Sequence, residues 1–220
     1  MRLARLNHLA AFVAVVGAVA CGGKDGGTAP CTPGPATQLE VSGNNQTWYN
    51  SNPLPNPYKV TARDANNCAV PGIVVTWTIT TGGGCLSPAQ STTNSSGVAT
   101  TVDSVGTASA QVVRATAAGS VTQDFTANAV PPPTATTADV SVADNSFSPT
   151  SVGIKSGGTV TWTFTGSNVH NVTFVGGPTG PGTIPDRNSG TANRTFTTLG
   201  RYSYVCTNHA GMRGTVDVVH

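Results

Sequence analysis

The chain has 220 residues and carries charge on only 9% of them, against about 25% in a typical soluble domain. Its formal net charge is +2, an excess supplied by Arg2 and Arg5, so the sequence offers no basic face for nucleic acid. Thr, Val, Gly and Pro are abundant, and no stretch beyond the N-terminus repeats apolar residues at i, i+3, i+4 and i+7. This pattern predicts an all-β protein of short strands and tight turns.

The chain opens with "MRLARLNHLAAFVAVVGAVAC". Arg2 and Arg5 precede an apolar run from Leu9 to Val16 that extends to Ala20, too short for the ~20 apolar residues of a membrane span. Residues 1–20 therefore read as a signal peptide. Its end, "AVAC", resembles the lipobox of bacterial lipoproteins, whose cysteine is lipidated and becomes the first mature residue. Ala18 stands where that motif usually has Leu, and Ala18-Val19-Ala20 also fits ordinary cleavage after Ala20. The resemblance implies lipidation of Cys21, a membrane anchor and an extracytoplasmic location, in the periplasm or on the cell surface. Residues 21–37 are Gly/Pro-rich and read as a flexible tether.

Residues 38–130 carry short alternating segments separated by turns. "PYKVTARD" alternates Tyr58, Val60 and Ala62. "IVVTWTIT" alternates Ile73, Val75, Trp77 and Ile79. "ANNCAVPG" and "TTGGG" are turns, and the spacing predicts a β-sandwich. The run "VTARDANNCAVPGIVVTWTITTGGGCLS", continued by "TTNSSGVATT" and "FTANA", resembles the bacterial Ig-like domain, group one. That resemblance implies a spacer or a binding surface with no catalytic residues.

"PPPTATT", residues 131–137, reads as a semi-rigid polyproline linker of roughly 20 Å that separates two domains. Residues 138–220 hold a second strand series: "ADVSVAD", "TVTWTFTG", "HNVTFVG", "TANRTFTTLG", "RYSYVC" and "GTVDVVH". They predict a second sandwich, in tandem with the first.

"CTNHAGM", residues 206–212, places a thiol, an imidazole and a thioether at i, i+3 and i+6. It lies between two predicted strands, so a short loop converges the three donors at one end of the sandwich. His170, in "GSNVHNVTF", starts another strand and is able to lie at the same end. Cysteine, two histidines and a weak methionine form the donor set of a blue-copper site. Thiolate and thioether favour Cu(I), while imidazole suits both oxidation states. Zinc has no need of a thioether, and a c-type haem needs C-x-x-C-H. His220 lies eight residues beyond Met212 on an outgoing strand, and at ~3.3 Å per residue it is carried to the far end. His8 lies in the leader.

"FSPTSVGIKSGGTVTWTFTGSNVHNVTF" and "GRYSYVCTNHAGMRGTVDVV" resemble the cupredoxins of the plastocyanin and amicyanin type. The short C-x-x-H-x-x-M loop is most like that of amicyanin. The resemblance implies a Greek-key sandwich holding one type 1 copper ion. It makes His170, Cys206 and His209 equatorial ligands and Met212 the axial one. It also makes Asn171 a hydrogen-bonding brace for the Cys loop. Redox partner proteins would dock near His209.

With two histidines left for metal, a trinuclear cluster or second catalytic copper is excluded. No other acid/base or nucleophile constellation is present, so the expectation is an electron carrier without a small-molecule substrate, not an enzyme. Copper sequestration or delivery, and surface adhesion with an incidental copper site, are the alternative readings. Trp77 and Trp162 read as core, and Trp48 and Tyr49 as loop or edge packing. Cys68 pairs with either Cys85 or Cys31. The predicted strand 73–80 separates Cys68 from Cys85 by ~26 Å, whereas antiparallel pairing of 38–42 with 58–64 brings Cys31 towards Cys68.

Overall fold

Period-two alternation governs both halves of the chain and dictates strands with one buried face. The computed structural model describes residues 31–118 and 120–220. The signal peptide over 1–20 and the lipidation expected at Cys21 lie outside the described residues.

Residues 38–130 supply nine strands: β1 (Gln38–Ser42), β2 (Gln46–Tyr49), β3 (Tyr58–Arg63), β4 (Val74–Thr81), β5 (Gly84–Ser87), β6 (Gln90–Thr92), β7 (Val98–Val105), β8 (Ala110–Ala117) and β9 (Thr122–Val130). They form a four-stranded sheet, β1-β3-β7-β5, and a five-stranded sheet, β2-β9-β8-β4-β6. In β3, Tyr58, Val60 and Ala62 point inward while Lys59 is exposed. Trp48, Trp77, Val75, Val113 and Phe125 complete this core from the other sheet.

The remaining strands are β10 (Thr137–Ala143), β11 (Ser146–Ser148), β12 (Ser151–Lys155), β13 (Gly158–Phe164), β14 (His170–Gly176), β15 (Ile184–Arg187), β16 (Gly190–Phe196), β17 (Gly200–Val205) and β18 (Arg213–Val219). Their sheets run β11-β10-β13-β16 and β12-β18-β17-β14-β15. β10 pairs parallel with β13, and β12 parallel with β18, so these neighbours are reached by crossovers rather than hairpins. Trp162 sits at the centre of this core, edge-on to Tyr204 at 5.5 Å and to Phe174 at 6.2 Å. The protein is all-β, two Greek-key sandwiches in tandem.

Three sequence expectations change. Trp48 belongs to the first core, fully buried on β2, which pairs parallel with β9 at the sheet edge. The linker does not hold the sandwiches apart. Val219 packs into the first core cluster, and the His220 backbone N–H donates to Asn52 Oδ1 at 2.8 Å. Arg201 lies 5.1 Å over the Trp48 ring and donates twice to Asp217, at 2.7 and 2.8 Å. The Cys68–Cys85 alternative also fails, because Cys85 is a free, exposed thiol whereas Cys68 is disulfide-bonded. The eight-residue strand β4 stands between Cys68 and Cys85. At ~3.3 Å per residue it carries them far beyond the ~7 Å Cα limit of a disulfide.

Candidate metal centre

β17 ends at Val205 and β18 begins at Arg213, so the chain must reverse within residues 206–212. It does so in two successive turns. The His209 N–H approaches the Cys206 carbonyl at 3.5 Å, and the Met212 N–H donates to the His209 carbonyl at 3.2 Å. A further bond of 3.0 Å from the Cys206 N–H to the Met212 carbonyl closes the loop at its base. Gly211 takes φ of 84°, a left-handed conformation that suits glycine. Donors spaced three apart thus fall at the corners of consecutive turns, where a turn brings its ends within about 7 Å.

His170 comes from the neighbouring strand β14, which pairs antiparallel with β17. Cys206 Sγ lies 3.8 Å from His170 Nδ1 and 3.6 Å from His209 Nδ1. One ligand atom from each of the three residues lies within 4.8 Å of the others. These separations fit a common ion better than direct hydrogen bonds. With metal–nitrogen and metal–sulfur bonds of ~2.0 and ~2.3 Å, a 120° angle at the metal puts N and S about 3.7 Å apart. His170, Cys206 and Met212 are buried and His209 is half-buried. A soft sulfur donor between two imidazoles, with a thioether in the same loop, is chemistry suited to copper.

Asn171 ties the centre to its surroundings. Its Nδ2 donates to Thr207 Oγ1 at 2.7 Å, and its Oδ1 accepts from the Thr207 backbone N–H at 3.0 Å. The residue after Cys206 is therefore clamped to the residue after His170. Asp186, on β15, accepts from Asn171 Nδ2 at 2.8 Å and from Asn208 Nδ2 at 2.9 Å. These two amide donors, Asn171 first, hold the Asp186 carboxyl below the usual carboxylate range. Asn208 also reaches the Val169 carbonyl at 3.2 Å. Sequence reasoning missed Asp186 and Asn208. No local motif marks them, because their partners lie on other strands.

A groove of about 780 Å³ opens beside the loop, lined by Tyr204, Cys206, His209, Ala210, Met212 and Val175, among others. Exposed Ala210 and Gly211 give it small neighbours on the His209 side.

Comparison with known proteins matches two stretches of the chain. Residues 39–130 match the bacterial Ig-like domain (group 1). Residues 134–219 match the copper binding proteins of the plastocyanin/azurin family. Amicyanin-alpha of Methylorubrum extorquens is 38% identical over 86 residues, which cover 36% of this chain and 70% of that protein. Among solved structures, a reduced amicyanin mutant is 34% identical, covering 39% of this chain and 90% of its own, at a TM-score of 0.34. A purple cupredoxin from Nitrosopumilus maritimus is 26% identical, covering 37% of this chain and 98% of its own, also at 0.34. Through its second sandwich the chain belongs to the plastocyanin/azurin family of copper binding proteins.

Proposed function

We propose that this protein is an extracytoplasmic carrier of single electrons, holding one copper ion through His170, Cys206, His209 and Met212. The observation that supports this most is Cys206 Sγ lying between two imidazole Nδ1 atoms at 3.6 and 3.8 Å, spacings suited to a shared ion. Copper held by these residues would supply one-electron chemistry between Cu(II) and Cu(I).

The chain's own residues keep the donors in place. The bond between Cys206 N–H and the Met212 carbonyl fixes the width of the loop, and the Asn171–Thr207 pair fixes its position against β14. A site that does not move when its charge changes has little to reorganise, and exchange is fast. His209 is the ligand that approaches the surface, flanked by exposed Ala210 and Gly211, and a redox partner docks there. Lys155, Arg187, Arg194, Arg201 and Arg213 nearly balance Asp139, Asp144, Asp186 and Asp217 in the copper sandwich. Long-range steering is weak on this account, and shape and apolar contact decide docking. The Ig-like sandwich serves as a mount, and lipidation of Cys21 anchors the chain to a membrane. "AVAC" after the apolar run supports that last step, and release of a Cys21→Ala variant from the membrane fraction tests it.

Electron self-exchange of the copper-loaded protein tests the carrier reading. Ala210→Glu should leave the visible spectrum unchanged yet slow exchange at least about tenfold, or ~1.4 kcal/mol, because the new charge must be desolvated at the docked face. Exchange at the wild-type rate in that variant would place the exit route elsewhere. Intrinsically slow exchange in the wild type would favour copper storage or delivery.

A further inference from the structure

His170 is completely buried, and its Nε2 has no hydrogen-bond partner among the described residues. Its Nδ1 faces Cys206 Sγ at 3.8 Å. If Nδ1 binds the metal, Nε2 carries the proton of the neutral ring. A buried N–H without a partner calls for an explanation. The acid beside it is Asp144, whose Oδ1 lies 3.7 Å from Nε2.

Asp144 is held there from a second direction. It occupies the turn between β10 and β11, and its Oδ1 accepts from the Asn168 backbone N–H at 3.0 Å. Asn168 belongs to the loop that leads from β13 directly into His170. A Cβ on Gly166, in the same loop, would overlap the Asp144 carboxylate. The loop therefore closes tightly on this carboxylate, which faces both the chain entering β14 and the imidazole at its start.

We propose that Asp144 is a positioning residue for the copper centre. Its charge acts on the Nε2–H dipole of His170, orienting the ring and enriching the electron density at Nδ1, which favours Cu(II) over Cu(I). The inference rests on the reading that His170 is a copper ligand. Its physical basis is general: a carboxylate on the outer nitrogen of a metal-bound histidine sets the tautomer and raises ligand basicity. At 3.7 Å the contact is longer than a direct N–H···O bond. The effect is that of a charge on the N–H dipole, moderated by solvent because the Asp144 side chain is 46% exposed.

Asp144→Asn isolates this role in the full chain. The amide oxygen still accepts from Asn168 N–H, so the loop clamp survives and only the charge is lost. Under spectroelectrochemical titration of the copper-loaded protein, the Cu(II) to Cu(I) ratio at a fixed potential should fall about fivefold, equal to ~40 mV on the one-electron scale. An unchanged ratio in a folded, coloured variant would reduce Asp144 to a loop clamp and overturn the proposal. Wild-type controls keep the two readings apart. If Cu(II) leaves the His170 ring signals in NMR unbroadened, His170 is no ligand, and the reading beneath the proposal fails first. Should the variant not fold, the wild-type Cu(I) protein decides. A downfield His170 Nε2–H proton protected from exchange supports the role, and one exchanging like a solvent-exposed imidazole N–H contradicts it.

Discussion

The two sandwiches share strand count and alternation but use their buried polar residues differently. In the Ig-like sandwich these groups, Asp103 apart, serve the backbone. Asp64 accepts from Gly34, Asn66 and Cys68 N–H groups, which hold its carboxyl below the ordinary range, Gly34 contributing most. Gln111 donates to the Gly82 and Ala108 carbonyls. In the copper sandwich, His170 and Asn171 are consecutive, buried and aimed at one loop. The same framework hosts a site when its polar groups converge on each other instead of on the turns.

The largest test of that contrast removes a core anchor from one side only. Trp162→Ala should cost roughly 3–5 kcal/mol, because the indole is fully buried among Tyr204, Phe174 and Phe196. Denaturant unfolding should show loss of copper-band colour in step with the destabilised transition. A loss under 1 kcal/mol would mean that this core is not organised around Trp162.

Next in size is a pH effect confined to the Ig-like sandwich. Asp103 is fully buried, and neither carboxylate oxygen has a hydrogen-bond partner among the described residues. Burial pushes its pKa up to about 6. Between the ordinary value and about 6 the folded chain holds a proton that the unfolded chain has released, so stability falls as pH rises through that window and then levels off. Asp103→Asn should flatten this slope and add ~2 kcal/mol at pH 7–8. Thermal melts from pH 4 to 8 check it, and a variant that is less stable at pH 8 would refute the assignment.

Arg201→Ala addresses the seam between the halves. It strips a cation from the Trp48 face and leaves the buried Asp217 carboxylate with the Tyr49 hydroxyl, at 3.4 Å, in place of its two guanidinium bonds. About 1–2 kcal/mol is expected, discounted because Arg201 is partly exposed. Calorimetry of the variant should then resolve two transitions, one for each sandwich.

The smallest stability effect, ~1 kcal/mol, falls on Asn171→Ala, which deletes both bonds to Thr207. Faster copper loss to a chelator would accompany it. Wild-type copper retention would show that the loop holds itself.

The legible parts of this molecule are local. Alternation in "VTWTIT" and "TVTWTFT" announces β4 and β13, and the spacing in "CTNHAGM" announces donors at consecutive turn corners. Short strands were less visible. β15 contains Pro185, which cannot donate to a ladder, and sits at a sheet edge. β2 is four residues long, so "QTWY" shows too little alternation to betray a buried tryptophan. Asp144, Asp186 and the Arg201–Trp48 stack could not be read at all, since each depends on which loops meet in space.

The central claim is that Cys206 binds copper between His170 and His209, and the visible spectrum of the protein after addition of Cu(II) tests it most directly. The account predicts intense thiolate-to-copper absorption at one copper per chain, abolished by Cys206→Ser with the far-ultraviolet spectrum unchanged. A wild-type protein that stays colourless and takes up zinc in preference would contradict it.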